Sequence, residues 1–280
     1  MTAHAKQSDV PTAFAQSFSH WPSWPVPHGI SLPVLSPHEC PYLPGREARS
    51  RAFMIENLPA TVYDELMDAG FRRSGKLVYQ PACEGCRECR PIRVVTEAFK
   101  PSKSQRKALN RNADLTVTPE ANRLTDEKFE LYRRYYAQWH GRDDHSREDL
   151  ERFLYDSPVH TIDMLYRDGT GKLLGVGVCD VSPLTFSSVY FYFDPAEKRR
   201  SLGTFGAITE IRRAAQLHLR HYYLGYWIPG CGQMAYKNRF KPYEILHTDG
   251  IWRSSGDDER HVEFNAANGQ SPGVPHARTR

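Results

Sequence analysis

The sequence predicts an α/β (α+β) protein with a small N-terminal domain that contains cysteines and a larger domain built around one mixed sheet. The length of 280 residues leaves room for about two domains of roughly 100–200 residues each. Hydrophobic residues make up 40% of the chain and charged residues 25%, which is typical of folded domains and excludes global disorder. In the second half, the order helix, helix, strand, strand, strand, helix, strand is typical of an α/β sheet.

Both ends of the chain are predicted to lie outside these domains. Residues 1–37 are rich in proline, which fixes φ and removes hydrogen-bond donors, so they are expected to form an extended tail. Residues 265–280 are expected to be a disordered tail. No apolar run approaches the ~18 residues of a membrane helix, and the start MTAHAKQSDV lacks the apolar core of a secretory signal. We therefore expect a cytoplasmic protein that makes no membrane contact.

The predicted N-terminal domain, residues 38–115, contains one helix and two strand candidates. Pro59 and Gly70 bracket the helix, in agreement with the preference for proline at the start and glycine after the end. FRRSGKLVYQP is predicted as a strand that leads into a cysteine loop, and RPIRVV as a further strand.

The cysteine loop carries three thiols at successive spacings of three residues. In a reducing cytosol this density favours metal or redox chemistry over disulfides. Three thiolates and one further ligand would complete a Zn²⁺ or iron–sulfur site, and the alternative is a loop of packed, reduced thiols. The candidate ligands are Cys83, Cys86 and Cys89, with Cys40 as the fourth.

A basic segment follows the loop. Residues 87–111 hold eight basic residues against two acidic ones, and the stretch FKPSKSQRKALNRN has no acid at all. Such a stripe is an electrostatic footprint for phosphates, although a solvated surface helix would look the same in the sequence. The candidate nucleic-acid contacts are Lys100, Lys103, Arg106, Lys107 and Arg111.

The second domain is predicted over residues 116–264. Thr125 caps a helix that Gly141 ends, and Ser146 caps a second helix through Tyr155. Two strands flank DGTG as a hairpin. SSVYFYF is a third strand, a long helix runs from about Leu202 to Leu219, and HYYLGYW is a fourth strand.

The junction between the third strand and the long helix is a candidate anion site. Free amides and the helix dipole attract anions at such a start, glycine permits close approach, and Arg200 adds charge. The alternative is that Ser201 is only a helix cap and Gly203 only a packing residue. The candidate substrate contacts here are Arg200, Ser201, Gly203 and Thr204.

A third candidate segment, YLGYWIPGCGQMAYKNRFKPYE, combines aromatic and cationic side chains. Aromatic faces stack on bases, and cations bind phosphates or carboxylates. Aromatic side chains at this density are also typical of a core, but the glycines and Pro229 indicate a loop.

Five segments together resemble the aminoacyl-tRNA–protein transferases, and most closely the bacterial aspartate/glutamate leucyltransferases. The segments are CPYLPGREAR (40–49), GFRRSGKLVYQPACEGCRECRPIRV (70–94), FKPSKSQRKALNRNADL (99–115), YFYFDPAEKRRSLGTF (190–205) and YLGYWIPGCGQMAYKNRFKPYE (223–244). The resemblance implies a cytosolic enzyme that moves leucine from leucyl-tRNA to an N-terminal Asp or Glu and so marks the protein for degradation.

The resemblance also implies an acetyltransferase-like (GNAT-like) second domain. RRSLGTF stands at the phosphate loop of that fold: Arg200 and Gly203 match its pattern, and Phe205 departs from the last small position. The departure suits a donor other than coenzyme A. Eukaryotic relatives hold an iron–sulfur cluster and carry a C-x-x-C near their start, where this chain has Cys40 alone. We expect that no cofactor is required.

The proposed chemistry gives roles to individual residues. Asp194 is the candidate base or orienting group, with Tyr190 and Tyr226 as catalytic hydrogen-bond partners, and Tyr236 as a substrate contact. The acceptor carboxylate needs a cation, for which the candidates are Arg73, Arg200 and Lys237. Arginine as the donated residue, a coenzyme A-dependent N-acetyltransferase and a non-catalytic RNA-binding adaptor are the alternatives.

Overall fold

The structure is a computed structural model that describes residues 32–141 and 144–255. The predicted tail at 265–280 and most of the tail at 1–37 lie outside the described residues. The described end of the N-terminal segment runs beside a strand: the Leu35 amide donates to the Ser50 carbonyl at 2.8 Å, and Val34 bridges to Arg51.

The first part of the chain forms small antiparallel sheets around one helix. The predicted helix is confirmed, and Tyr63, Leu66 and Met67 bury its inner face. The elements are β1 (His38–Glu39), β2 (Glu47–Ala48), β3 (Ser50–Met54), α1 (Ala60–Asp68), β4 (Arg72–Ser74) and β5 (Leu77–Pro81). Strands β3, β5 and β4 form one sheet in that order.

The segment FRRSGKLVYQP, predicted as one strand, is a hairpin of β4 and β5. Gly75 makes the turn with a φ of +56°, which residues with a side chain rarely adopt. The Cβ of any other residue there would also stand 2.1 Å from the Arg152 carbonyl oxygen. The single-strand prediction was wrong because it did not recognise Gly75 as a turn between two strands.

The main body is an eight-stranded mixed sheet, which confirms the predicted fold class. Its strands are β6 (Arg90–Val95), β7 (Thr116–Ala121), β8 (Thr161–Arg167), β9 (Leu173–Val181), β10 (Thr185–Phe193), β11 (His221–Trp227), β12 (Tyr243–Leu246) and β13 (Trp252–Ser254). The order is β13-β12-β6-β11-β10-β9-β8-β7, and only the β10–β11 pair of these described strands is parallel. Because β6 lies between β11 and β12, this sheet extends across the predicted boundary at residue 115.

Helices cover both faces of the sheet. The helices are α2 (Lys103–Arg111), α3 (Asp126–His140), α4 (Arg147–Leu150), α5 (Leu202–Gln216) and α6 (Gly232–Ala235). A π-helical turn (Glu151–Tyr155) continues α4, and 3-10 turns span Pro195–Arg200 and Tyr236–Arg239.

The two packed faces have separate cores. On one face, Ile208 and Ile211 of α5 pack with Phe186 and Tyr222 of the sheet. On the other face, Tyr132 of α3 belongs to a second cluster that includes Val176 and Tyr192. Alternation along β10 therefore sends successive side chains to α5 and to α3, as a sheet buried on both sides requires.

The predicted helix starts in this region are confirmed. The Thr125 hydroxyl accepts a hydrogen bond from the Lys128 amide at 3.3 Å, and Ser146 forms a reciprocal capping box with Asp149. Among the described residues, no helix combines the length and apolarity needed to cross a membrane.

Candidate active site and nucleic-acid interface

The sheet opens where β10 and β11 separate. The two strands pair only over Thr185–Ser187 and His221–Tyr223, although each continues for several more residues. On its other side, β11 has an irregular register against β6 at Gly225, whose φ is +85°. A parallel pair that ends inside a sheet leaves backbone groups and space for a ligand.

Arg72 stands at the beginning of this opening. Its guanidinium donates to the Ser187 hydroxyl at 2.7 Å and to the Ser188 carbonyl, both on β10. The residue is only 9% exposed. Among the described residues, no carboxylate pairs with it. Arg72 therefore brings an unneutralised charge to the point where the strands separate.

Lys237 faces the same point from the 3-10 turn after α6. A Cβ built on Gly225 would lie 3.5 Å from the Lys237 ammonium and 3.6 Å from Arg72 Nε. Burial, together with the charge of Arg72, lowers the pKa of Lys237 to about 7. The residue is 8% exposed, and none of the carboxylates that the structure describes pairs with it. Two buried cations beside a residue without a side chain form a candidate anion site.

Arg73, predicted to bind the acceptor carboxylate, lies elsewhere and is fully engaged. Its guanidinium makes two hydrogen bonds to Asp180, at 2.7 and 2.6 Å, and one to Thr161 at 3.1 Å. Tyr63 donates to the same carboxylate at 2.6 Å, and the Arg73 and Asp180 side chains are 1% and 0% exposed. The contacts of Arg73 are therefore those of an ion pair within the fold. The arginine that lies near Lys237 is Arg72, which the sequence analysis did not single out.

The start of α5 is held by the end of α2. Arg111 donates to the Ser201 hydroxyl at 3.2 Å and to the Arg199 carbonyl at 3.1 Å. Arg200 binds both carboxylate oxygens of Asp114, at 2.8 and 2.9 Å, and also Glu197 at 3.0 Å. The charge of Arg200 is thus paired with two acids. Its contact with Asp114 joins the segment after α2 to the turn before α5.

The first turn of α5 has the open geometry expected of an anion site. Ser201 adopts a left-handed conformation with φ +56°, and its side chain makes no cap to the helix. A Cβ on Gly203 would meet only Phe193, at 3.9 Å. The Thr204 amide donates to the Ser201 carbonyl at 3.0 Å and is therefore satisfied within the helix. The amides open to a ligand in this turn are those that precede Thr204. The role of these residues in substrate binding stays a prediction.

The basic helix α2 connects the two candidate anion sites. Gln105 donates to the Arg239 carbonyl at 3.1 Å, in the same turn as Lys237, and Arg111 contacts Ser201. Gln105 and Ala108 face inward and are buried. The predicted tRNA contacts are all exposed and have no carboxylate partner within the described parts of the chain: Lys100, Lys103, Arg106, Lys107 and Arg111.

Asp194, the candidate base, has the contacts of a turn residue. Its carboxylate accepts from the Ala196 amide at 3.0 Å and pairs with Lys172 at 2.9 Å and Arg134 at 3.6 Å. Burial opposes ionisation, but the hydrogen bonds from Lys172 and Ala196 outweigh it and lower the pKa of Asp194. A carboxylate stabilised in this way is a weak proton acceptor.

The three candidate tyrosines occupy different environments. Tyr226 is buried and donates to the Gly70 carbonyl at 3.0 Å. Tyr190 packs between rings of α3 and the π-helical turn, 6.3 Å from Tyr135 and 5.3 Å from Phe153. Tyr236 is 36% exposed and lies edge-on to Phe240. Each of the three thus has its own set of contacts, and their roles in the reaction stay predictions.

The predicted metal ligands are free thiols in the neighbourhood of Cys89. Among the described residues, no group of three His, Cys, Asp or Glu side chains has the geometry to hold a metal ion. The Cys83 thiol accepts from the Arg49 amide at 3.4 Å, and the Cys86 thiol from Arg46 at 3.5 Å. Burial and the neighbouring thiols raise the pKa of Cys89 to about 12, so this thiol is protonated. Metal binding by these four cysteines stays a prediction.

Comparison with known proteins identifies the family. Two family models match in order: "Arginine-tRNA-protein transferase, N terminus" over residues 38–107 and "Arginine-tRNA-protein transferase, C terminus" over residues 127–247. An aspartate/glutamate leucyltransferase of Parvibaculum lavamentivorans (strain DS-1) is 40% identical over 225 residues, which cover 79% of this chain and 93% of that protein. The chain belongs to the aspartate/glutamate leucyltransferase family.

Further members of the family match at the same level. The protein of Pseudomonas fluorescens (strain SBW25) is 41% identical over 75% of this chain and 91% of its own length. That of Methylorubrum extorquens (strain PA1) is 41% identical over 78% and 93%. The resemblance indicated by the five sequence segments is therefore confirmed.

Solved structures are more distant. The C-terminal domain of a putative lysylphosphatidylglycerol synthetase from Agrobacterium fabrum aligns with a TM-score of 0.45 and 15% identity, over 80% of this chain and 74% of that one. The L-PGS structure from Bacillus licheniformis aligns with a TM-score of 0.44 and 12% identity, over 60% and 59%.

Proposed function

We propose that this protein transfers leucine from leucyl-tRNA to the N-terminal Asp or Glu of acceptor proteins and so marks them for degradation. Family membership supports the aminoacyl transfer. The observation that carries the acceptor class is the pair of buried cations, Arg72 and Lys237, with no carboxylate partner among the described residues. Buried charges without partners are strongly unfavourable, so their retention indicates a ligand of opposite charge.

The acceptor side chain occupies the space beside Gly225 in this proposal. Its carboxylate replaces the missing counter-ion, with Arg72 able to offer a planar pair of donors and Lys237 a point charge. Held in this way, the acceptor's α-amine extends into the opening between β10 and β11. Asp and Glu differ by one methylene. The flexible stem of a lysine accommodates this difference more readily than Arg72, whose guanidinium donates to Ser187.

The donor's phosphates bind the exposed face of α2 and the first turn of α5. Five exposed cations and the outward amides at Ser201–Gly203 supply the charge. Because Gln105 and Arg111 tie α2 to the acceptor turn and to α5, the charged RNA end and the acceptor terminus meet on one side of the molecule.

The reaction needs little acid–base assistance. The acceptor's amine nitrogen attacks the leucyl carbonyl carbon, a new C–N bond forms, and the C–O bond to the terminal ribose breaks. The proton lost by the amine is returned to the departing ribose oxygen. An α-amine has a pKa of about 7.7–8.0, so roughly a tenth of it is neutral at pH 7. Positioning of the two substrates therefore supplies much of the rate.

A transfer assay tests this function. Leucyl-tRNA, arginyl-tRNA and acetyl-coenzyme A are each offered to peptides that begin with Asp, Glu, Asn, Gln or Lys, and products are read by mass. We expect leucine on the Asp and Glu peptides only, because Asn and Gln keep the shape and lose the charge. Arginine transfer would revise the donor, and acetyl transfer without tRNA would contradict the proposal. Since charged tRNA is the donor, the proposed compartment is the cytoplasm.

A further inference from the structure

Three aromatic rings form an exposed patch at the end of β10. Trp139 and Tyr135 lie one turn apart on α3, with ring centroids 6.1 Å apart, and both contact Phe193 edge-on at 6.4 and 5.2 Å. Trp139 is 51% exposed, whereas its two neighbours are half-buried and hold it from below. A large indole ring fixed on a rigid aromatic base and open on one side is a surface ready to stack.

The patch adjoins the start of α5. Phe193 Cε1 lies 3.9 Å from the point where a Cβ would stand on Gly203, in the first turn of that helix. The next residue after Phe193 is Asp194, which holds Lys172 and Arg134 beside the patch. Both cations remain about half exposed on their outer sides. A flat apolar surface thus lies next to the candidate anion site at the start of α5, and the ion pairs of Asp194 follow it directly in the chain.

A nucleotide has this combination of a flat base and a nearby phosphate. We propose that the face of Trp139 stacks on the terminal adenine of the donor RNA while the adjoining phosphate lies at the α5 start. This inference rests on the proposed function. A leucyl side chain would instead need an enclosed apolar pocket, and a ring that is half open to solvent offers only one face. Stacking of a base on an aromatic ring contributes on the order of 10-fold in affinity.

The test is a double-mutant cycle between Trp139 and the adenosine. Uncharged tRNA ending in CCA and the same RNA without its terminal adenosine are titrated with wild type, Trp139→Ala and Trp139→Phe, with binding followed by fluorescence anisotropy of a labelled RNA. Leu184→Ala is the control, because Leu184 is an exposed apolar residue directly before the other end of β10.

We expect wild type and Leu184→Ala to lose on the order of 10-fold in affinity when the adenosine is removed. Trp139→Ala should bind the intact RNA about 10-fold more weakly and lose nothing further without the adenosine, and Trp139→Phe should keep most of the discrimination. If Trp139→Ala discriminates between the RNAs as strongly as wild type does, the stacking proposal is wrong while the proposed function stands. If wild type binds neither RNA, both are wrong.

Discussion

Replacement of Lys237 by methionine tests the acceptor site through stability as well as activity. Methionine keeps the length of the side chain and removes the charge. The pKa of Lys237 is about 7 in the folded protein against an ordinary 10.5, because burial and Arg72 disfavour the ammonium. Each pKa unit is worth about 1.4 kcal/mol, so the free energy of unfolding lost to this charge has an upper limit of about 5 kcal/mol below pH 7.

The pH dependence of this effect has a definite sign. Between pH 7 and 10.5 the unfolded chain binds the Lys237 proton more tightly than the folded chain, so the stability of the wild type rises with pH in this window. Near pH 10 the penalty falls to about 1 kcal/mol or less. Lys237→Met should therefore be more stable than wild type at pH 7, and the difference should shrink towards pH 10.

Urea unfolding of both proteins at pH 6, 7, 8, 9 and 10 measures the difference between their free energies of unfolding. Titrating groups that the two proteins share contribute equally to both and cancel in this difference. Lys76→Met is the matched control, since Lys76 is a lysine paired with Glu56 at 2.7 Å and Asp156 at 2.9 Å. In the transfer assay, Lys237→Met should raise the KM for Asp and Glu peptides at least 10-fold and leave the KM for leucyl-tRNA unchanged. A variant that is less stable than wild type at pH 7, with an unchanged acceptor KM, would refute the reasoning.

Three further predictions follow from neighbouring contacts. Charge reversal of Lys103 and Lys107 to Glu should weaken tRNA binding and flatten its dependence on salt, because fewer counterions are released. A filter-binding titration at several salt concentrations measures this dependence. If the slope of log affinity against log salt concentration is unchanged, α2 is not part of the tRNA interface. Arg73→Met should lower the free energy of unfolding by about 3–5 kcal/mol, because it leaves Asp180 buried without its partner. The folded fraction of this variant should keep the wild-type KM for the acceptor peptide. A large increase in that KM would indicate that Arg73 contacts the substrate. Protein treated with a chelator and dialysed should retain its transfer rate, as measured alongside metal content by mass spectrometry, because the proposed transfer uses no metal. Loss of activity that Zn²⁺ or iron restores would contradict this.

Local sequence signals predicted the ends of several elements but not the strands with which they pair. The caps at Thr125 and Ser146 and the stop at Gly141 depend on neighbours within four residues, so the sequence pattern was sufficient. Strand β7 was missed because TVTPEA is a mostly exposed edge strand with a proline and no apolar alternation. That β6 pairs with β11 and β12 depends on contacts more than 100 residues apart, which no local pattern encodes.

The assignment of Arg73 instead of Arg72 has the same origin. Adjacent residues of a strand point to opposite faces, so the pair in FRRSG necessarily sends one guanidinium to each side. The alternation of residues along a strand does not predict which of its two faces lies against a buried acid. The structure places Asp180 against Arg73, and near Arg72 it places Lys237, which has no carboxylate partner among the described residues. This difference in surroundings is the reason that we propose Arg72, and not Arg73, for the acceptor carboxylate.

The position of α2 bears on how the proposed transfer is accelerated. Gln105 and Arg111, its two contact points, are six residues apart, which corresponds to about 9 Å along a helix. A short, capped helix is stiff over that length, and its Ser102 capping box and buried inner face hold it in place. The turn that carries Lys237 and the start of α5 are therefore kept at a fixed separation. Because an ester aminolysis depends mainly on bringing the amine and the carbonyl together, the proposed transfer depends on this fixed separation.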